Sequence, residues 1–366
     1  MYDIDVLLKR VQDVDASDLH IKTGSPPCIR KDGLMQVLID LPPVTIEDIE
    51  VMIKTVLPSR FQDQFLREHD ADASYLPKGG RDRFRVNAYY QRNLPGFTFR
   101  RIPRDIPTLD SLNHPPVLKK LCGLDKGLVL ITGPTGSGKS TTLAAMIQYI
   151  NETSPLHVIT IEEPIEFEHE DNRCVIEQRE VGLDTPSFSE ALRRALRQDP
   201  DVILLGEMRD AETMMIATSA AETGHLVFST LHTNDAKQSV SRIINTFPPE
   251  QHFQTRLKLG AVLQGIVSQS LIPKKSGGRI AVVEVLIATP YVRDLITKGK
   301  YEDLDEVIEK GAHDGMQSMN QDILVKWMND VISDEDAMAT SVKPHDLQVM
   351  MAQFCSKKAE LLRRLK

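Results

Sequence analysis

Short unbroken apolar runs alternate with stretches whose apolar residues recur every three or four positions. Runs at 127–132, 157–162, 201–206, 225–231 and 279–287 predict buried strands. After the first of them, Leu143, Met146, Ile147 and Ile150 fall on one helical face. Residues 117–290 therefore predict a three-layer α/β domain, and from Tyr291 the pattern is wholly helical. The N-terminal part reads differently. Ile4, Leu7, Leu8 and Val11 line one face of a helix within residues 1–20, and residues 17–21 read as a strand. Residues 28–38 read as strand, turn at Lys31-Asp32-Gly33, strand. Residues 45–57 and 59–68 read as helices, with Thr45 as N-cap and Asp48 three positions on, close to a capping box. Residues 83–89 alternate charged or polar with apolar side chains, as a half-buried strand does, and 97–101 read as its partner after a turn at 93–96. Prolines at 103, 107, 115 and 116 mark an extended linker. The expected division is an N-terminal domain at 1–102, a linker at 103–116, the α/β domain at 117–290, and a helical region with a basic tail at 291–366.

Composition narrows the classes. With 44 Lys plus Arg against 52 Asp plus Glu, the net charge of −8 argues against a chain that coats nucleic acid. No apolar run is long enough to span a bilayer, and the N-terminus lacks a signal-peptide pattern, so a cytoplasmic location is expected. Cys28, Cys122, Cys174 and Cys355 form no C-x-x-C pair, which argues against zinc or a disulfide framework.

The chemistry centres on Gly133-Pro134-Thr135-Gly136-Ser137-Gly138-Lys139-Ser140, a phosphate-binding loop between an apolar run and a helix. Its glycines let the backbone approach a phosphate closely, and its N–H groups with the following helix N-terminus form an anion site. Lys139 can reach the β- and γ-phosphates and Ser140 can ligate Mg²⁺, so ATP and Mg²⁺ are the expected cofactors. Three more runs end in polar groups. Residues 157–162 lead into Glu162, Glu163 and Glu166, where a carboxylate could orient or deprotonate an attacking water. Residues 201–206 lead into Glu207, in the position of a Walker B acid that holds Mg²⁺ directly or through water. Residues 226–231 are bracketed by His225 and His232, either structural groups or sensors of the γ-phosphate. Arg193 and Arg197 share a face of a helix expected over 187–198 and read either as a solvated basic face or as an arginine-finger pair. Arg83, Arg85, Arg100 and Arg101 read as a solvated sheet face, a nucleic-acid contact, or arginines that face the nucleotide of a neighbouring subunit.

The order G-P-T-G-S-G-K-S-T, I-E-E-P-I-E, A-L-R-R-A-L-R-Q-D-P-D-V-I-L-L-G-E-M-R-D and A-E-T-G-H-L-V-F-S-T-L-H-T resembles the secretion ATPases of type II secretion and type IV pili. Within them it is most similar to the twitching-motility retraction ATPases, over nearly the whole chain. The resemblance implies a PAS-like N-terminal α+β domain, a RecA-like P-loop ATPase domain with a helical C-terminal region, and a homohexamer. It implies that Lys139, Ser140 and Thr141 form Walker A, that Glu162, Glu163 and Glu166 form the acidic box, and that Glu207 is Walker B. It makes His225 and His232 the histidine box, Arg193 and Arg197 phosphate contacts, and Arg83, Arg85, Arg100 and Arg101 nucleotide contacts from the first domain. Its partners would be an inner-membrane pilus platform protein and a paralogous retraction ATPase, with no zinc and no nucleic acid, and the chain would sit peripherally at the pilus base. Two positions depart from the family pattern. Glu163 stands where Asp is usual, which favours Glu162 as the main carboxylate with Glu166 second. Tyr291-Val292-Arg293-Asp294-Leu295-Ile296 keeps only part of the retraction motif A-I-R-N-L-I, leaving principal and accessory roles both open. Arg293 beside Leu295 and Ile296 reads either as a docking patch or as core. Competing readings are a RecA-like ATPase on nucleic acid, a pilus or type II secretion assembly ATPase, and a nucleotide-binding regulator without turnover. The assembly branch usually carries a longer N-terminal extension and a four-cysteine zinc site, and this chain has no C-x-x-C pair.

Overall fold

The computed structural model describes residues 2–31, 33–80, 82–102 and 104–364, with side chains through residue 356. Asp32 of the expected turn, Pro103 of the expected linker, and the side chains of the expected basic tail lie outside the described residues. The chain divides into two compact units, one of residues up to Ile106 with Pro164–Glu168, the other of Pro107–Glu163 with the residues from His169 on.

The first unit is an antiparallel sheet of β1 (Asp18–Lys22), β2 (Cys28–Lys31), β3 (Leu34–Val37), β4 (Asp70–Tyr75), β5 (Arg83–Gln91) and β6 (Leu94–Ile102), in the order β3-β2-β1-β6-β5-β4. Helices Ile4–Asp13, Ile46–Val56 and Ser59–Glu68 supply the rest of its core. Alternation on β5 buries Phe84, Val86 and Ala88. Thr45 and Asp48 complete a capping box, each side chain accepting from the other's backbone N–H. The hairpin between β5 and β6 turns at Arg92 and Asn93, with φ of 49° and 59°, not at 93–96. Two residues in the left-handed region match the twist of the flanking strands, which leaves Leu94, Pro95 and Gly96 free to pair.

The second unit holds β7 (Gly127–Thr132), β8 (His157–Glu162), β9 (Val175–Glu180), β10 (Val202–Leu205), β11 (Leu226–Leu231), β12 (Leu263–Pro273) and β13 (Arg279–Ile287) in the order β13-β12-β7-β11-β10-β8-β9. All neighbours pair parallel except β12 with β13. Helices cover both faces. Leu128 and Leu130 enter one core and Val129 and Ile131 the other, which is why β7 reads as an unbroken apolar run. Strands β9 and β12 were not expected. β9 lies at the sheet edge and has only two apolar residues followed by four polar ones, and β12 follows helix His252–Val262 directly, with no turn signal between them.

Helices from Pro290 on complete this unit. Val292, Leu295 and Ile296 of helix Pro290–Lys298 are buried in its larger core, so the docking-patch reading of this segment gives way to the core reading. Arg293 donates to the carbonyls of Gly260 and Ala261 at 2.7 and 2.8 Å and to Gln264 Oε1 at 3.0 Å. It therefore satisfies the open C-terminal end of helix His252–Val262. Among the described residues no helix is long and apolar enough to cross a membrane. Because Ile296 is fully buried, Ile296→Ala is expected to cost about 2–5 kcal/mol of stability in denaturant unfolding. A loss below about 0.5 kcal/mol, the range of ordinary surface changes, would return this residue to the surface.

Candidate active site

Parallel register places the polar strand ends together. Thr132 pairs with Leu231, Leu205 with Ser229, and Leu205 with Ile161. The carboxyl ends of β7, β11, β10 and β8 therefore lie side by side along one sheet edge, where ligands of open α/β sheets bind. From these ends emerge the loop 133–138, His232, Glu207 and Glu162.

The loop is shaped by glycines where no side chain fits. A Cβ on Gly133, at φ 146°, would lie 2.2 Å from the carbonyl oxygen of Gln269, and one on Gly138, at φ 90°, would lie 2.8 Å from its Nε2. Helix Lys139–Thr153 starts directly behind the loop, so its free N–H groups face the same space. The buried Lys139 ammonium donates to the carbonyls of Gly133 at 2.8 Å and Pro134 at 3.0 Å. Pro134, Thr135, Gly136 and Ser140 are exposed, Thr141 is half-buried, and Ser137 is buried. Beside Gly138 and Thr141 opens a cavity of about 340 Å³, walled also by Asn113, Leu271 and Lys274.

Next along the edge, Glu207 Oε1 lies 3.4 Å from His232 Nε2 and its Oε2 accepts from Arg209 Nε at 2.8 Å. Arg209 Nη1 also donates to Glu163 Oε2 at 3.2 Å. Its hydrogen bond to Glu207 raises the guanidinium pKa and keeps it charged. Thr230 donates to the carbonyl of Gly206 at 2.6 Å and fixes the start of this segment. Glu162 Oε1 accepts from Thr160 at 2.7 Å and from Gln178 Nε2 at 3.2 Å, across to β9.

Arg209, Gln178 and Gln269 were missed from sequence. Arg209 lies just past Glu207 in coil, and the other two lie on the unexpected strands β9 and β12.

One expected residue falls at the opposite end of its strand, and others hold partners within their own unit. His225 precedes β11 at its amino end, with Nδ1 3.0 Å from the carbonyl oxygen of Ala220. Six strand residues at about 3.3 Å each put it about 20 Å from the carboxyl edge, so the structure does not bring it to the cluster. The helix that carries Arg193 ends at Ala195, short of the expected 198, so Arg197 is not on a helical face with it. Asp199, before Pro200, stands at φ 55°, outside right-handed helical geometry. Arg193 pairs with Glu212. Glu166 lies in Pro164–Glu168, which belongs to the first unit. Within that unit Arg83 pairs with Glu168, Arg100 with Asp18 at 3.0 Å, and Arg101 with Asp82 and Asp15, while Arg85 is exposed. Apart from Asp82, these acids lie 82 to 86 residues away in sequence, so the arginines only look unpaired when read locally.

The family model described as "Type II/IV secretion system protein" matches residues 111–338. The chain belongs to the type II/IV secretion system protein family. Over 344 residues it is 44% identical to the type IV pilus retraction ATPase PilT of Pseudomonas aeruginosa, covering 94% of this chain and 99% of the relative. It is 42% identical to the type IV pilus ATPase PilU of the same organism, covering 94% and 90%. The solved crystal structure of the pilus retraction motor PilT with bound ADP is 43% identical, with a TM-score of 0.88 over 95% of this chain and 99% of that one. The chain is thus a RecA-like P-loop ATPase of the pilus retraction group within this secretion ATPase family.

Proposed function

We propose that the protein works as a homohexameric motor that hydrolyses Mg²⁺-bound ATP to draw pilin subunits out of a type IV pilus, as principal or accessory retraction ATPase. The observation that carries this reading is the single sheet edge on which the phosphate loop, Glu162, Glu207 and His232 emerge from adjacent parallel strands. The loop N–H groups cradle the phosphates, and Lys139, with three N–H donors, meets the β- and γ-phosphates while still holding a loop carbonyl. The nucleoside half extends into the cavity beside Gly138 and Thr141. The Ser140 hydroxyl and the Glu207 carboxylate are hard oxygen donors that suit Mg²⁺, which neutralises charge on the phosphates. Glu162 orients the attacking water and accepts its proton, with Glu166 as the second candidate. His232, against Glu207, reports whether a γ-phosphate is present. Arg193 and Arg197 reach phosphate as fingers. Arg83, Arg85, Arg100 and Arg101 contact the nucleotide of a neighbouring subunit in the ring, and Arg83, Arg100 and Arg101 exchange their acid partners for phosphate. The ring docks at the cytoplasmic face of the inner membrane on a platform protein, beside a second retraction ATPase.

The carboxylate assignment is tested by comparing two variants. Glu162→Gln is expected to keep ADP affinity and lose about 10²–10⁴ in turnover. Glu163→Gln, which loses only its pairing with Arg209, is expected to lose less than about tenfold, one charge-assisted hydrogen bond. The reverse ranking would move the base to Glu163. For the cellular role, a deletion strain is expected to keep its pili, often in excess, and to lose twitching. A bald strain restored to piliation by this gene alone would instead make the protein an assembly motor.

A further inference from the structure

Gln269 on β12 is buried and lies against the phosphate loop at both ends, its carbonyl facing Gly133 and its side chain facing Gly138. Its Nε2 donates to the carbonyl of Ser137 at 2.7 Å, and its Oε1 accepts from Thr142 Oγ1 at 2.8 Å. Having given its proton to Gln269, the Thr142 hydroxyl accepts from His114 Nε2 at 2.9 Å. These directions follow from the network, because each member can satisfy its neighbour in only one sense. Burial pushes the His114 imidazole down to about 4, so the ring is neutral near pH 7 and carries the one proton this chain needs on Nε2. All four residues are buried, where an unmade hydrogen bond is costly.

In a trans peptide the carbonyl and the following N–H point in opposite directions. Holding the Ser137 carbonyl on Gln269 therefore aims the Gly138 N–H away from β12. We propose that Gln269 is a positioning residue for ATP binding, clamping the Ser137–Gly138 peptide so that the Gly138 N–H faces the phosphates, with Thr142 and His114 fixing which way its amide points. The clamp rests on the reading of residues 133–140 as the phosphate site. Gln269 acts through the loop it holds, before chemistry begins. Its loss is therefore felt in affinity more than in the rate of the bound complex.

The test uses full-length protein, a fluorescent ADP analogue for Kd, and steady-state ATP turnover. Gln269→Met keeps the volume and removes both hydrogen bonds. It is expected to weaken ADP-analogue binding about tenfold, the effect of one well-placed hydrogen bond, while kcat at saturating ATP changes less than about threefold. Thr142→Val, which frees the amide to turn over, is expected to weaken binding by about threefold to tenfold, and Thr142→Ser to stay within about twofold of wild type. A merely structural role would not separate Kd from kcat, nor Val from Ser. A Gln269→Met Kd within about twofold of wild type, or kcat falling as far as affinity, would overturn the clamp. If Gln269→Met does not fold, the Thr142 pair decides, and equal Kd values for Val and Ser overturn it. Wild-type protein that binds no ADP analogue would instead refute the phosphate-site reading itself, a result distinct from failure of the clamp alone.

Discussion

A loop that turns its N–H groups toward an anion leaves its carbonyls facing the protein, and those carbonyls need partners. This constraint organises the second unit. The Gly133 and Pro134 carbonyls accept from Lys139, and the Ser137 carbonyl accepts from Gln269. The second contact requires β12 to pair beside β7, with Ser268 opposite Thr132, so that the next residue faces the loop. It also requires glycine at 133, where a Cβ would strike the Gln269 carbonyl, and favours it at 138, where φ is 90° and a Cβ would press on the Gln269 amide. Hydroxyl contacts also join the loop's base at Thr132 to β12 and, through Ser239, to the residues just past β11. Thr132 donates to Ser268 at 3.0 Å, and Ser239 lies 2.6 Å from Thr233, just past His232.

Charge along the sheet edge is arranged for the same purpose. Glu163 and Glu207 would repel one another, and Arg209 stands between them with a hydrogen bond to each. Arg209 and Glu163 are well exposed, so these pairs add little to stability. Their consequence is geometric, because Glu207 is held between a fixed cation and His232. Ion pairs of the first unit's arginines likewise keep those side chains in place by acids brought from distant parts of the chain.

Much of this was legible in the sequence where one local pattern decided the outcome. Strands β7, β8 and β11 are buried on both faces and so read as unbroken apolar runs, and Gly-rich residues between β7 and an amphipathic helix allow one reading. The capping box at Thr45 was legible for the same reason. What was hidden depends on direction or on distant partners. His225 and His232 bracket β11 alike, and only the direction of a parallel strand separates them. Arg209 carries no spacing signal, since bridging Glu207 to Glu163 depends on an acid 46 residues away. Gln269 sits on a strand that begins at the residue after a helix stops, with no turn between them, although Gly260 and Gly265 flank the junction. Leu295 and Ile296 have a spacing that fits either core or surface, and packing alone assigned them to core.

Lys139 is the one side chain whose removal takes the positive charge from the loop while leaving the sheet edge intact. Mg²⁺-dependent phosphate release by Lys139→Ala, compared with wild type at saturating ATP, tests whether this loop carries the nucleotide. A loss of at least about 10²-fold is expected, the effect of removing one charge-stabilising donor from the reacting phosphates. Turnover within about twofold of wild type, far short of even one such hydrogen bond, would contradict it.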